Sequence, residues 1–205
     1  PPNPVIDPVL VYQDAVREVL SFATMNIEMV IHKEVHVDQQ VFHEQMNYCF
    51  AYENLDQDSF TGKVVGDVQF GQTHKVTLEE TCYDGNLYGR LNNYGYTTSL
   101  TQEDFLRRYA PPILLDAEKY AFVTLEDNTL RFADASCLEE WIHQDAYTFL
   151  EAFGTARLND EKQLIGFTYS VSYLYGSVRY VISFETKFLD TEGDLRRPSL
   201  KFQWR

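Results

Sequence analysis

Apolar residues fall on every second position through most of this chain and adopt helical spacing in only three short stretches. The pattern is sharpest between Leu164 and Leu189, where the runs LIGFTYSVSYLY and VRYVISFETKFL flank the dipeptide Gly176-Ser177. Glycine in the first central position suits a two-residue type II′ turn, because without a Cβ it tolerates the positive φ required there. Counting outward from that turn pairs Tyr175 with Val178, Tyr173 with Tyr180, Val171 with Ile182, Tyr169 with Phe184 and Ile165 with Phe188. The positions between them pair Leu174 with Arg179, Ser170 with Ser183, Thr168 with Glu185 and Gly166 with Lys187. One face is therefore apolar and aromatic and the other mostly polar, so a slip of one residue would turn the whole aromatic set to water. The spacing predicts a long antiparallel hairpin whose apolar face needs a cover.

The same logic predicts a hairpin near the start. Met25, Ile27, Met29, Ile31 and Val35 alternate with polar residues, and so do Phe42, Met46, Tyr48, Phe50 and Tyr52. A turn at Asp38-Gln39 pairs Val35 with Phe42, Ile31 with Met46, Met29 with Tyr48, Ile27 with Phe50 and Met25 with Tyr52. It also sets Lys33 opposite Glu44 as an opposite-charge cross-strand pair. Strands are predicted in TGKVVGDVQF and HKVTLEETCY, joined by a three-residue loop at Gly71, and Asp84-Gly85 signals a type I′ turn. That turn pairs Cys82 with Leu87, Leu78 with Leu91 and Glu79 with Arg90. KYAFVTL and TLRFA meet around Asp127-Asn128, with Leu125 opposite Leu130 and Val123 opposite Phe132. A strand from Ala152 to Leu158 turns at Asn159-Asp160 into the final hairpin, and the tail carries an edge strand LKFQW.

Three helices are predicted among these strands. Asp7-Pro8 reads as N-cap and first helical position of a helix with Val9, Tyr12, Val16 and Val19 on one side, ending near Leu20. Thr101 and Asp104 read as a capping box opening EDFLRRY, which Pro111-Pro112 ends. Ser136 and Glu139 read as another, opening a helix through Leu138, Trp141 and Ile142 to Phe149. Together these elements predict an α+β, mostly β fold. It is a strongly curved antiparallel sheet, an incomplete barrel of hairpins, with about three short helices covering its concave face.

A chain of 205 residues can bury about 70% of its unfolded surface as one domain. With no internal linker, residues 8–205 are read as a single curved-sheet domain. Four of the seven prolines stand in the opening PPNPVIDP, so residues 1–7 read as a Pro-rich linker or stalk, as in a mature chain whose leader or tether has been removed. The net charge of −14 disfavours contact with a nucleic-acid backbone or a polybasic mode of membrane binding. No apolar run approaches the roughly 18 residues of a membrane span. Cys49, Cys82 and Cys137 lack metal-type spacing and are read as three buried small hydrophobes.

The polar cluster HKEVH is the one stretch that invites chemistry. His32, Glu34 and His36 share one face of a strand, and His43 falls opposite Glu34. Three imidazoles and a carboxylate are zinc-type donors. A solvated face near a mobile hairpin tip is the favoured reading, and no metal is assigned. The spacing also differs from HExxH, and no nucleophile elbow, P-loop or dinucleotide fingerprint is present. Adjacent acids such as Glu79-Glu80 and Glu139-Glu140 point apart in regular structure and are read as solvated. No enzyme and no cofactor are assigned. A curved sheet with more apolar surface than three short helices can cover would leave a lined cavity.

The order of elements, with the stretches CYDGNLYGRLNNYGY, LTQEDFLRRY and LNDEKQLIGFTYSVSY, resembles the bacterial lipoprotein-carrier superfamily typified by LolA, LolB and LppX, and related Gram-positive surface lipoproteins. The resemblance spans residues 8 to 190. It implies a half-barrel with helices over an apolar concavity that receives acyl chains, and no catalytic constellation. The chain departs from the carriers in its acidity and in showing no lipobox cysteine at its start. The function expected is a non-enzymatic exported or cell-surface bacterial protein that binds a lipid or other apolar ligand between sheet and helices. Met25, Ile27, Met29, Phe50, Tyr169, Ile182 and Phe184 are its candidate liners. Membrane attachment would come only through a removed N-terminal anchor. The alternative is a cell-envelope interaction or structural module with a filled core and no ligand.

Overall fold

The computed structural model describes residues 6–22, 24–55, 59–110, 122–132 and 147–189. Helix α1 (Pro8–Ser21) leads into strands β1 (Thr24–Val37), β2 (Gln40–Glu53), β3 (Thr61–Phe70), β4 (His74–Tyr83), β5 (Asn86–Leu91) and β6 (Tyr94–Ser99). Helix α2 (Gln102–Tyr109) follows, then β7 (Phe122–Glu126), β8 (Thr129–Phe132), β9 (Tyr147–Leu158), β10 (Leu164–Tyr175) and β11 (Val178–Leu189). The strands form one antiparallel sheet in the order β6-β5-β4-β3-β2-β1-β11-β10-β9-β8-β7, and β6 and β7 do not pair to close it. The sheet is thus two meanders joined where the first strand meets the last, with Ile27 opposite Phe188, Ile31 opposite Phe184 and Val35 opposite Tyr180.

The predicted hairpin registers are those observed from Met25–Tyr52 to Val35–Phe42, including Lys33–Glu44. They also hold from Tyr169–Phe184 to Tyr175–Val178 and for Cys82–Leu87 and Leu78–Leu91. Turn chemistry explains why they hold. Gly176 has φ 61° and Ser177 is not in the positive-φ region, as a type II′ turn requires, whereas Asp84 (49°) and Gly85 (69°) are both positive, as type I′ requires.

Differences from the predicted pattern cluster at bulges. Between β9 and β10 the register shifts at Leu164/Gly166, and Ile165 becomes the extra residue. It is 42% exposed while Leu164 is buried, so Ile165 does not join the apolar face opposite Phe188. A second shift at Ser172/Tyr173 makes Leu150 the extra residue and puts Phe149 opposite Tyr173. β9 consequently begins at Tyr147 rather than Ala152, and Phe149 is in a strand rather than a helix. In the β7–β8 hairpin a shift places Phe122, not Val123, opposite Phe132. Cys82 is buried as expected, but Cys49 is on the outer side of β2 and exposed. Two helices, not three, stand among the described residues. The segment from Ser136 to Ile142, Cys137, residues 1–5 of the proline-rich start and the tail strand lie outside those residues.

Both helices begin where their caps dictate. Asp7 Oδ1 accepts from the Val9 N–H at 3.0 Å, and Thr101 Oγ1 accepts from the Asp104 N–H at 3.1 Å. Tyr12, Ala15, Val16 and Val19 of α1 and Phe105, Leu106 and Tyr109 of α2 join one core cluster with Ile27, Phe50, Leu130, Phe167 and Val171. Phe105 is its hub on the α2 side, with ring centroids 6.1 Å from Phe50, 6.2 Å from Phe60 and 5.1 Å from Tyr109. Gly62 makes room for it, since a Cβ there would stand 2.2 Å from the Phe105 ring. Gly62→Ala is therefore expected to destabilise the protein by about 1–3 kcal/mol through overpacking, measured as a lower urea midpoint with unchanged m-value.

Candidate ligand-binding face

Strand alternation puts all seven candidate liners on the sheet face that carries the helices. Met25, Ile27, Met29, Phe50, Tyr169 and Phe184 are buried, and Ile182 is half-buried against the same cluster. Met29, Thr186 and Phe167 follow one another across β1, β11 and β10, as do Ile31, Phe184 and Tyr169. The aromatic layer continues on the β8 side, where Phe132 stacks on Phe167 and Tyr169 at centroid distances of 5.5 Å.

This apolar face outruns its cover. Toward the free ends of the β1–β2 and β10–β11 hairpins, Ile31, Ile182 and Tyr180 are only partly buried. Beyond them Phe42 is 53% exposed, with Phe70 and Tyr175 nearly as open. Tyr173 and Tyr180 stack here at 5.0 Å, with Tyr147 edge-on to Tyr173 at 6.0 Å. The Lys33–Glu44 pair sits within this open end, Nζ to Oε2 3.1 Å, with side chains 28% and 24% exposed. Lys33 Nζ also lies 5.8 Å from the centre of the Tyr180 ring.

A second charged group lies under α2. Glu80, expected as a solvated acid, is 3% exposed. Its two carboxylate oxygens accept from the hydroxyls of Tyr96 on β6 and Tyr109 on α2. Phase alone reveals it, because Glu80 alternates with Cys82, which is read as core, and with Leu78, which pairs on the same side as Cys82. Gly89 supports the arrangement, since a Cβ there would stand 2.2 Å from the Tyr96 ring. Burial first, then the hydrogen bond to Glu80 and its charge, push both phenols far above the usual tyrosine range, with the Arg108 cation opposing in part.

On the opposite face, Glu34 gathers two of the histidines noted in the sequence. His36 Nε2 lies 3.0 Å from Glu34 Oε2 and His43 Nδ1 lies 3.7 Å from Glu34 Oε1, while His32 is exposed beside them. Among the described residues no group of three His, Cys, Asp or Glu side chains is placed to hold a metal ion. No helix among them is long and apolar enough to cross a membrane.

No protein-family model matches the chain, and no curated protein is significantly similar to it in sequence. Similar solved structures include LprF from Mycobacterium bovis, with a TM-score of 0.44 and 9% identity over 86% of this chain and 90% of that one. They also include the Mycobacterium tuberculosis lipoprotein LppX, with a TM-score of 0.43 and 8% identity over 89% and 93%. A DUF1329 family protein from Desulfovibrio piger has a TM-score of 0.31 and 10% identity over 89% and 94%. With every TM-score here below 0.5, the functional reading rests on this chain's own residues.

The Glu80 network carries a pH dependence of definite sign. Unfolded tyrosines ionise near pH 10 while the folded Tyr96 and Tyr109 keep their protons to higher pH. The stability they contribute is whole below pH 10 and is lost as pH rises through the raised values. The wild type should therefore lose stability above pH 10 more steeply than the Tyr96→Phe/Tyr109→Phe variant, measured by urea titration at each pH. At pH 7 Tyr109→Phe alone should cost about 1–3 kcal/mol, because it strands a buried carboxylate oxygen. His32→Ala, on the exposed outer face, should change stability by less than about 0.5 kcal/mol.

Proposed function

We propose that this is a non-enzymatic exported or cell-surface protein that binds a lipid or other apolar ligand along the helix-covered face of its sheet. The observation that carries the reading is the apolar face continuing past α1 and α2 into the half-open ground of Ile31, Ile182 and Tyr180, and on to exposed Phe42, Phe70 and Tyr175. Apolar surface of this kind, contiguous with a core, is where an apolar ligand gains most from leaving water. A chain entering from that end meets Ile31 and Ile182 first, then Met29, Tyr169 and Phe184. Phe50 lies against the Phe105 ring, and Met25 and Ile27 are buried in the same core. In this reading residues 1–7 are a Pro-rich linker ahead of the 8–205 unit, and the location is the bacterial cell surface.

A second reading is favoured by the near-complete burial of Tyr12, Ile27, Phe50 and Phe105. In that reading the core is already full, and the protein is an interaction or structural module of the cell envelope. Native mass spectrometry of gently purified protein separates the two. Co-purifying lipid in stoichiometric amount is the expected result, and protein that stays ligand-free after incubation with mixed lipids favours the filled module. Phe184→Asp or Tyr169→Asp should either prevent folding or abolish uptake, because a carboxylate at either of these buried positions would lose its hydration without compensation. A soluble variant with normal melting and undiminished uptake would overturn the assignment of this face.

A further inference from the structure

We propose that the Lys33–Glu44 pair is the headgroup subsite of the apolar face and that its occupant is the zwitterionic headgroup of a phospholipid, phosphate on Lys33 and ammonium on Glu44. This deepens the lipid-binding reading and rests on it. The pair is out of keeping with its surroundings. Along β1 its neighbours on the face are Ile31 and Val35, along β2 they are Met46 and Phe42, and Ile182 on β11 and Phe70 on β3 stand directly opposite. Register here is already set by the apolar alternation and the Asp38-Gln39 turn, so the charges are not needed to fix it. Nor does a half-buried ion pair stabilise a fold more than apolar residues of similar size would.

What the pair does supply is one fixed cation and one fixed anion, side by side and each about a quarter exposed, where the apolar face meets solvent. A phospholipid lying along that face with its chains toward Ile31 and Met29 brings its headgroup to this level. Phosphate matches the Lys33 ammonium as a charge-assisted acceptor. The lipid ammonium matches Glu44, flanked by the exposed rings of Phe42 and Phe70, which attract a cation through their faces. Lys33 over Tyr180, itself stacked on Tyr173, shows a cation accommodated at this aromatic wall. A net charge of −14 weighs against an anionic lipid, whereas a headgroup with separated charges and no net charge meets no such field.

The test incubates the full chain with an equimolar mixture of phosphatidylcholine, phosphatidylglycerol and diacylglycerol carrying identical acyl chains, and reads the bound lipid by native mass spectrometry. Phosphatidylcholine should exceed each of the others at least about tenfold, equivalent to ~1.4 kcal/mol. Glu44→Gln should shift the preference to phosphatidylglycerol, and Lys33→Met/Glu44→Met should shift it to diacylglycerol. Melting temperatures establish that each variant is folded, and the double variant, which removes both charges of the pair together, serves if the single one does not fold. Equal loading of all three lipids by the wild type, or the same ratios in folded variants as in the wild type, would overturn the subsite while leaving lipid binding intact. Absence of any bound lipid would overturn both.

Discussion

Side chains on a β-strand point alternately to opposite faces, and in this protein that alternation decides nearly everything else. Because the apolar residues of β1, β2, β10 and β11 share one phase, a slip of one residue in any of these pairings would turn a strand's apolar set to the other side. The face so produced is too apolar to stand in water, so α1 and α2 must lie on it. Their own sequences are cut to that purpose, with Tyr12, Val16 and Val19 on one side of α1 and Phe105 and Tyr109 on one side of α2. Small residues in the sheet receive the large ones, as Gly62 receives Phe105. The two helices among the described residues are short relative to the strands, and Phe42, Phe70 and Tyr175 at the hairpin ends of the face are exposed.

Charged groups on this face are accommodated in two ways, according to depth. Glu80, deep under α2, is satisfied by neutral donors from two different elements, and those phenols bring their own apolar rings with them. Lys33 and Glu44, at the open end, satisfy each other and keep part of their hydration. The contrast follows from desolvation. A carboxylate away from water needs fixed hydrogen-bond donors, whereas a pair at the edge can share the task with solvent.

Much of this architecture could be read from the chain because two independent signals agreed. At Asp38-Gln39, Asp84-Gly85 and Gly176-Ser177 the turn chemistry and the outward apolar pairing gave the same register, and the structure has those registers. Reading failed where an inserted residue reset the phase. Ile165, Leu150 and Val123 look like ordinary apolar positions, and nothing local marks them as sites where two residues oppose one. Glu80 was missed for a different reason. Adjacency to Glu79 suggested a solvated pair, but adjacent strand residues face opposite ways, so one of the two had to join Leu78 and Cys82. Residue type suggests a core Cys49, but its phase in β2 places it on the outer side with Asn47. The apolar liners could be assigned to a face from alternation alone. How far α1 and α2 would cover that face could not, because helix placement depends on long-range packing that the pattern does not encode.

The meeting of β1 with β11 bears on how the molecule comes together. Among the described residues every other strand pairing joins neighbours in sequence, so each meander can zip up from its own turns with little loop-closure entropy to overcome. The joint at the centre of the sheet instead pairs residues from opposite ends of the chain, the costliest kind of contact to form. Such a molecule behaves as two ladders fastened along one late seam, and its cooperativity resides there rather than in either half. Emerging from the ribosome, the first ladder must hold one long, unprotected strand flank in β1 until β11 has been made.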